Sequence, residues 1–139
     1  DGYNMIWEQA QSISNGNYGK DHGISYIGNN GTLVLWRGGW EVIPDEKRME
    51  AVPFQPNKGS GLDLHTVNFV QAVKSRDFSK LTCSIQAGAH VATVCQMGNI
   101  SYKTGNKVSW DVSKGKFNEE KANAYLASKY NNGYKLPKV

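Results

Sequence analysis

Residues His22–Pro44 read HGISYIGNNGTLVLWRGGWEVIP, and this stretch decides the fold. Its runs GISYI, TLVLW and WEVI are rich in β-branched and aromatic residues, the composition of a pleated, half-buried surface. Asn30-Gly31 separates the first two runs. Asn-Gly is the strongest short hairpin signal, because a type I′ turn needs φ > 0 at both central residues. Arg37-Gly38-Gly39 makes the second turn. A three-stranded antiparallel meander is expected. With Asn30-Gly31 at the turn centre, Ile27 faces Val34 and Tyr26 faces Leu35. One face then carries Ile24, Tyr26, Leu33 and Leu35; the other carries Ile27, Val34 and Trp36. Both are apolar, whereas a sheet with one solvated face alternates apolar and polar residues. Each face therefore needs a cover.

Working outward, YNMIWEQAQ (residues 3–11) reads as one more strand, and SNGNYGKDHG as a loop by its Gly and Asn content. Residues 45–61 read as an irregular connector. The period then becomes helical. LDLHTVNFVQAVKSR sets Leu62, Thr66, Phe69, Val70 and Val73 on one stripe, with Asp63 or Ser60 as its cap. SIQAGAHVATVCQMGNISYKTG is a longer helix, rich in small residues, that ends at Gly105. KVSWD is extended. NEEKANAYLASKY is a third helix with Asn118 as N-cap. Strands followed by helices predict a single α+β domain over residues 1–139, an antiparallel meander sheet with helices packed on one face. The second apolar face has no cover within the chain. Without an initiator Met at its start, the chain is expected to have been processed or cut from something longer.

The chain has 139 residues, 39% of them apolar and 20% charged. That composition suits a globular fold rather than a disordered one. No apolar run approaches the ~18 residues needed to span a bilayer, and the first residues lack a signal-peptide layout. The net charge of +4 is uneven: residues 1–100 hold eight Lys/Arg against nine Asp/Glu, and residues 101–139 hold eight Lys against three acids. These lysines (Lys103, Lys107, Lys114, Lys116, Lys121, Lys129, Lys135, Lys138) are scattered singly, which reads as solvated surface rather than as a nucleic-acid patch. Cys83 and Cys95 show no metal-site spacing.

The catalytic motifs are missing: no GxGxxG, P-loop, HExxH or GxSxG occurs. His65 and His90 fall inside helices, where packing or capping is their ordinary role. His22 sits at the edge of a Gly-rich loop, a place where binding residues concentrate. Trp7, Trp36, Trp40 and Trp110 are core or interface residues by the ordinary rule, although aromatic rings on a sheet can also stack on sugars. Trp7, His22 and His65 are the substrate-contact candidates.

HTVNFVQAVKSRDF followed by IQAGAHVATVCQMGNISYKTGNKVSWD resembles the C-terminal end of Gfo/Idh/MocA-type oxidoreductases, of the bacterial oxidoreductase C-terminal type. The family pattern His-x-x-Asn-Phe with a closing Ser-Arg matches His65, Asn68, Phe69, Ser75 and Arg76. Its Gly-Asn-Ile-Ser/Ala-Tyr matches Gly98–Tyr102, and its Gly-x-Lys-x-x-Trp-Asp matches Gly105, Lys107, Trp110 and Asp111. The upstream HGISYIGNNGTLVL resembles the family's Gly-Thr-Leu hairpin, and NEEKANAYLASKY its Glu-Ala-Asn closing helix. The resemblance covers nearly all of residues 20–130. It implies a C-terminal domain with a large open, mostly antiparallel sheet, attached in the whole enzyme to a Rossmann domain that binds NAD or NADP. The family's Glu-Lys-Pro has no counterpart: Glu46-Lys47-Arg48 lacks the proline. Asp77-Phe78 stands where a proline usually follows Ser-Arg.

The resemblance implies a substrate-side and oligomerisation domain of a sugar or polyol oxidoreductase, with no catalytic residue and no cofactor or metal site of its own, inactive in isolation. It implies homo-oligomers through a sheet face, either the one carrying the interface candidates Ile27, Val34 and Trp36 or its opposite, and a sugar-like substrate for the whole enzyme, with no nucleic-acid or membrane partner. The alternative is a stand-alone carbohydrate- or ligand-binding module built on Trp7, Trp36 and Trp40.

Overall fold

Five strands form one antiparallel sheet in chain order: β1 (Asn4–Gln9), β2 (His22–Ile27), β3 (Gly31–Trp36), β4 (Gly39–Pro44) and β5 (Val52–Pro56). The source is a computed structural model that describes residues 2–13, 15–128 and 130–135. Two compact units divide the chain, residues 1–71 and 72–139. The sheet belongs to the first. The α+β class and the antiparallel meander agree with the sequence pattern.

The register differs from the expected one by two residues. Ile27 pairs with Thr32 and Tyr26 with Leu33, so the turn is centred on Asn29-Asn30. Neither residue takes positive φ. Gly28 N–H donates to Gly31 O at 3.0 Å and closes the hairpin. The loop after β4 fastens this turn: Asp45 N–H donates to Asn30 O at 2.8 Å, and the Arg48 guanidinium donates to Asn29 O at 2.9 Å. Gly31 serves in the strand instead. A Cβ there would lie 2.6 Å from Ile43 O and 2.9 Å from Met49 Sδ, so only glycine lets β3 and the loop approach this closely. A slip of two residues preserves the side-chain parity, and both face assignments survive it.

β5 replaces part of the expected connector. Its sequence, VPFQP, carries two prolines, which demote a run by sequence yet are tolerated on an edge strand. It pairs with β4 across an irregularity between Trp40 and Val42.

Helix α1 (Gly61–Ser75) crosses the division between the units. Ser60 caps it, with its Oγ accepting from Asp63 N–H at 3.3 Å. Within the first unit, the expected apolar stripe stands open: Leu62 is 74% exposed and Phe69 57%. This segment therefore does not supply the cover expected for a sheet face.

The second unit is built on α2 (Ile85–Thr104). Ser84 caps its start, accepting from Ala87 N–H at 3.2 Å, and Gly105 ends it in the left-handed conformation at φ 66°. A two-residue hairpin follows, β6 (Trp110–Asp111) with β7 (Lys116–Phe117), then the single turn α3 (Glu120–Asn123). The expected third helix is thus four residues long, and its N-cap is Glu119 rather than Asn118. Ile100, Phe117 and Ala122 form the core of this unit, with Met97, Val108 and Trp110 packed around them. Lys129, Lys138 and the tail from residue 136 lie outside the described residues.

Candidate functional site

The pairing registers place every side chain of the sheet on one face or the other. One lateral row runs Trp7–Ile24–Leu35–Trp40, and the adjacent row runs Met5–Tyr26–Leu33–Val42. All eight side chains share one face, since directly paired residues point the same way and alternate residues return to it. This face is open: Trp7 is 66% exposed, and Met5, Leu35 and Trp40 are exposed as well. At one end Tyr3 packs edge-on against Tyr26, with ring centroids 5.5 Å apart. Trp7 and Trp40 stand three strand spacings apart, roughly 14 Å.

The opposite face carries Ile27, Val34 and Trp36, the interface candidates, and the chain itself closes it over Val34 and Trp36, while Ile6 and Ile43 on the same face stay exposed. Val34 is only 3% exposed. The segment Asn17–Lys20 folds over it, tied down where Glu8 Oε2 accepts from Asn17 N–H at 2.6 Å. Lys20 Nζ sits 3.8 Å from the Trp36 ring centroid and 3.9 Å from Glu41 Oε1. Trp36 stacks on Phe54 at 5.1 Å with an interplanar angle of 14°. Trp36 is thus held between a cation and a ring. For Val34 and Trp36 the chain thus supplies a cover of its own, which the sequence pattern did not predict. A loop that by composition reads only as a loop supplies the lid, and the strand hidden by its prolines supplies Phe54. Between lid and sheet lies a pocket of about 10 Å³, lined by Ile6, Glu8, Lys20, His22, Ser25 and Val34. That is room for about one water and none for a sugar ring.

The three substrate-contact candidates separate. Trp7 stands on the open face; His22 follows in the β1–β2 register, opposite Gln9, but it borders the small pocket under the lid. His22 Nδ1 lies 2.6 Å from Asp21 Oδ1, which fixes that nitrogen as the donor; Nε2 is buried without a hydrogen-bond partner among the described residues. His65 is exposed on α1, and no described contact joins it to the other two.

In the second unit, Asp111, Glu119 and Asn123 act as fasteners. Asp111 Oδ1 accepts from Ser113 N–H, Ser113 Oγ–H and Lys114 N–H, and Lys114 Nζ lies 2.8 Å from Asp111 Oδ2. The Lys114 contact above all, and then the Ser113 hydroxyl, lower the Asp111 carboxyl to about 2. Glu119 is lowered chiefly because its Oε2 accepts from Ser109 N–H, at 2.8 Å. Asn123 accepts from Phe117 N–H and donates to Phe117 O, both at 2.9 Å. Trp110 meets Phe117 edge-on at 5.0 Å. Of the tail lysines, Lys114 is paired with Asp111 and Lys103 lies 5.7 Å from the Tyr125 ring. Sequence reasoning missed Lys20, Phe54 and Asn123 as partners; only contacts distant in sequence reveal them.

Among the described residues no three His, Cys, Asp or Glu side chains gather in a way that could hold a metal ion, and no helix is long and apolar enough to cross a membrane. No protein-family model matches the chain, nor does any curated protein or solved structure.

Proposed function

We propose that this chain is the substrate-side and oligomerisation domain of an NAD(P)-dependent sugar or polyol oxidoreductase of the Gfo/Idh/MocA type, inactive by itself. The observation that carries this reading is the open sheet face with its two apolar rows. The chain lays its own loop over part of one face and leaves the Trp7–Trp40 face without a lid, as expected of an open sheet whose free side meets another subunit or borders a substrate cleft. Hydride would pass between the nicotinamide and a substrate carbinol, chemistry that the cofactor carries on a separate dinucleotide-binding domain. Trp7, exposed on the open face, is where a sugar-like substrate would be met. The motif residues of the second unit support the reading through structure alone: Trp110, Asp111 and Asn123 hold a hairpin and a helical turn together. Tryptophan fluorescence of the chain titrated with NADH tests it. No saturable quenching is expected, together with concentration-dependent self-association by light scattering. Saturable NADH binding by this chain alone would overturn it.

A second reading has one specific observation behind it. Trp7 and Trp40 lie in a single lateral row, both exposed, roughly 14 Å apart. Two such platforms suit an oligosaccharide, and a stand-alone carbohydrate-binding module would use them. Calorimetric titration with mono- and oligosaccharides decides it. Heat that saturates, and that is lost in Trp7→Ala and Trp40→Ala, favours the module; a flat response removes it.

A further inference from the structure

The two edges of the sheet are unlike. The β5 edge is defended: Pro53 and Pro56 have no N–H to offer, and its pairing with β4 is already irregular. The β1 edge has no proline, no lysine and no bulge. Its sequence is NMIWEQ, and Met5, Ile6 and Trp7 are all exposed. Ala10 N–H donates to Asp21 O, directly opposite. In an antiparallel ladder hydrogen-bonded pairs alternate with non-bonded ones, so Asn4, Ile6 and Glu8 bond to β2 while the peptide groups of Met5, Trp7 and Gln9 face outward. An outward row of peptide donors and acceptors selects one kind of partner, an extended strand.

The geometry points to the same strand of a second copy, with β1 pairing antiparallel to β1 across a two-fold axis at Ile6 to make one continuous sheet. In that register Met5 stands opposite Trp7 of the second copy, Ile6 opposite Ile6, and Asn4 opposite Glu8. Apolar residues meet apolar ones, polar meet polar, and no like charges face each other. Moving the axis to Trp7 sets Glu8 against Ile6, and moving it to Met5 sets Asn4 against Ile6. The Ile6 register also uses the outward groups, since the Met5 and Trp7 pairs exchange roughly four main-chain hydrogen bonds. This inference is made of residues 1–139 alone and places assembly on the edge, whereas the proposed function places it on the open face.

Amide hydrogen exchange of the full chain across a concentration series tests it. Met5 and Trp7 amides are expected to gain protection as the dimer forms. Dimers whose Met5 and Trp7 amides keep exchanging freely overturn the proposal, as does a chain that stays monomeric by sedimentation at all concentrations. Trp7→Pro removes one outward N–H without touching a bond to β2. It is expected to raise the dissociation constant at least about tenfold more than Trp7→Ala, which removes the same side chain and keeps the N–H. Equal effects of the two substitutions overturn the edge in favour of the face. Protection of the Val34 amide confirms that each variant is folded, and the wild-type exchange result stands whether or not Trp7→Pro folds.

Discussion

Asn123→Ala is the substitution that probes the second unit most sharply. The hairpin has only two residues in each strand, and Asn118 N–H donates to Ser109 O at 2.9 Å. By the alternation of antiparallel bonding, the pair Trp110–Phe117 is then non-bonded, and the peptide groups of Phe117 point away from β6. The Asn123 amide meets both, one as acceptor and one as donor, in the place of a third strand. Phe117 is 2% exposed and Ala122 fully buried, so water does not freely replace the lost partners. A buried peptide group left unsatisfied costs about 1–3 kcal/mol, and two are affected. The expected loss, allowing for partial rehydration at the half-buried edge, is about 2–4 kcal/mol. Urea unfolding followed by the Trp110 indole resonance measures it, and the Phe117 amide should exchange faster by at least two orders of magnitude. A loss below about 0.5 kcal/mol would refute the idea that this side chain completes the hairpin.

Three further outcomes are expected. Gly23 has φ 154°, and a Cβ there would lie 2.6 Å from Leu35 O and 3.3 Å from Trp36 Cβ, so Gly23→Ala should lower the urea midpoint of the first unit by more than about 1 kcal/mol in free energy, read from the Trp36 indole. Asp111 has its pKa depressed from the ordinary 3.8 to about 2, so it contributes stability that is complete above pH 4 and lost as pH falls through 2; acid unfolding of the hairpin should show this step, and Asp111→Asn should remove it. Ser84→Ala removes the N-cap of α2 and should cost about 1 kcal/mol by thermal or urea unfolding, with Ser84→Gly costing only a few tenths.

Much of the fold was legible because the decisive signals are local. Ser84 and Gly105 mark the two ends of α2 by the same chemistry that caps it. The strands of the meander were readable from β-branched and aromatic content, and the face assignments held because a slip of two residues changes no parity. What escaped was non-local. The turn moved to Asn29-Asn30 because Asp45 and Arg48 hold its carbonyls, which no hairpin rule includes. β5 escaped because proline is a valid residue only on an edge, and edge position is not written in a sequence window. α3 shrank to one turn because Glu119 reaches back to Ser109 and Asn123 turns to Phe117. Of the candidate site, the aromatic content of the sheet was visible, but which face stays open depends on the Asn17–Lys20 segment folding over Val34. Trp7 and His22 come onto paired strands only through the β1–β2 register, and nothing in that register reaches His65.

The central claim is that this domain serves a larger oxidoreductase. Sequencing the source gene upstream of the codon for Asp1 tests it most directly. The account predicts a reading frame that continues in phase and encodes a Gly-rich βαβ dinucleotide-binding start followed by a Glu-Lys-Pro. A frame that stops within a few tens of codons contradicts it and leaves the open face to a free-standing binding module.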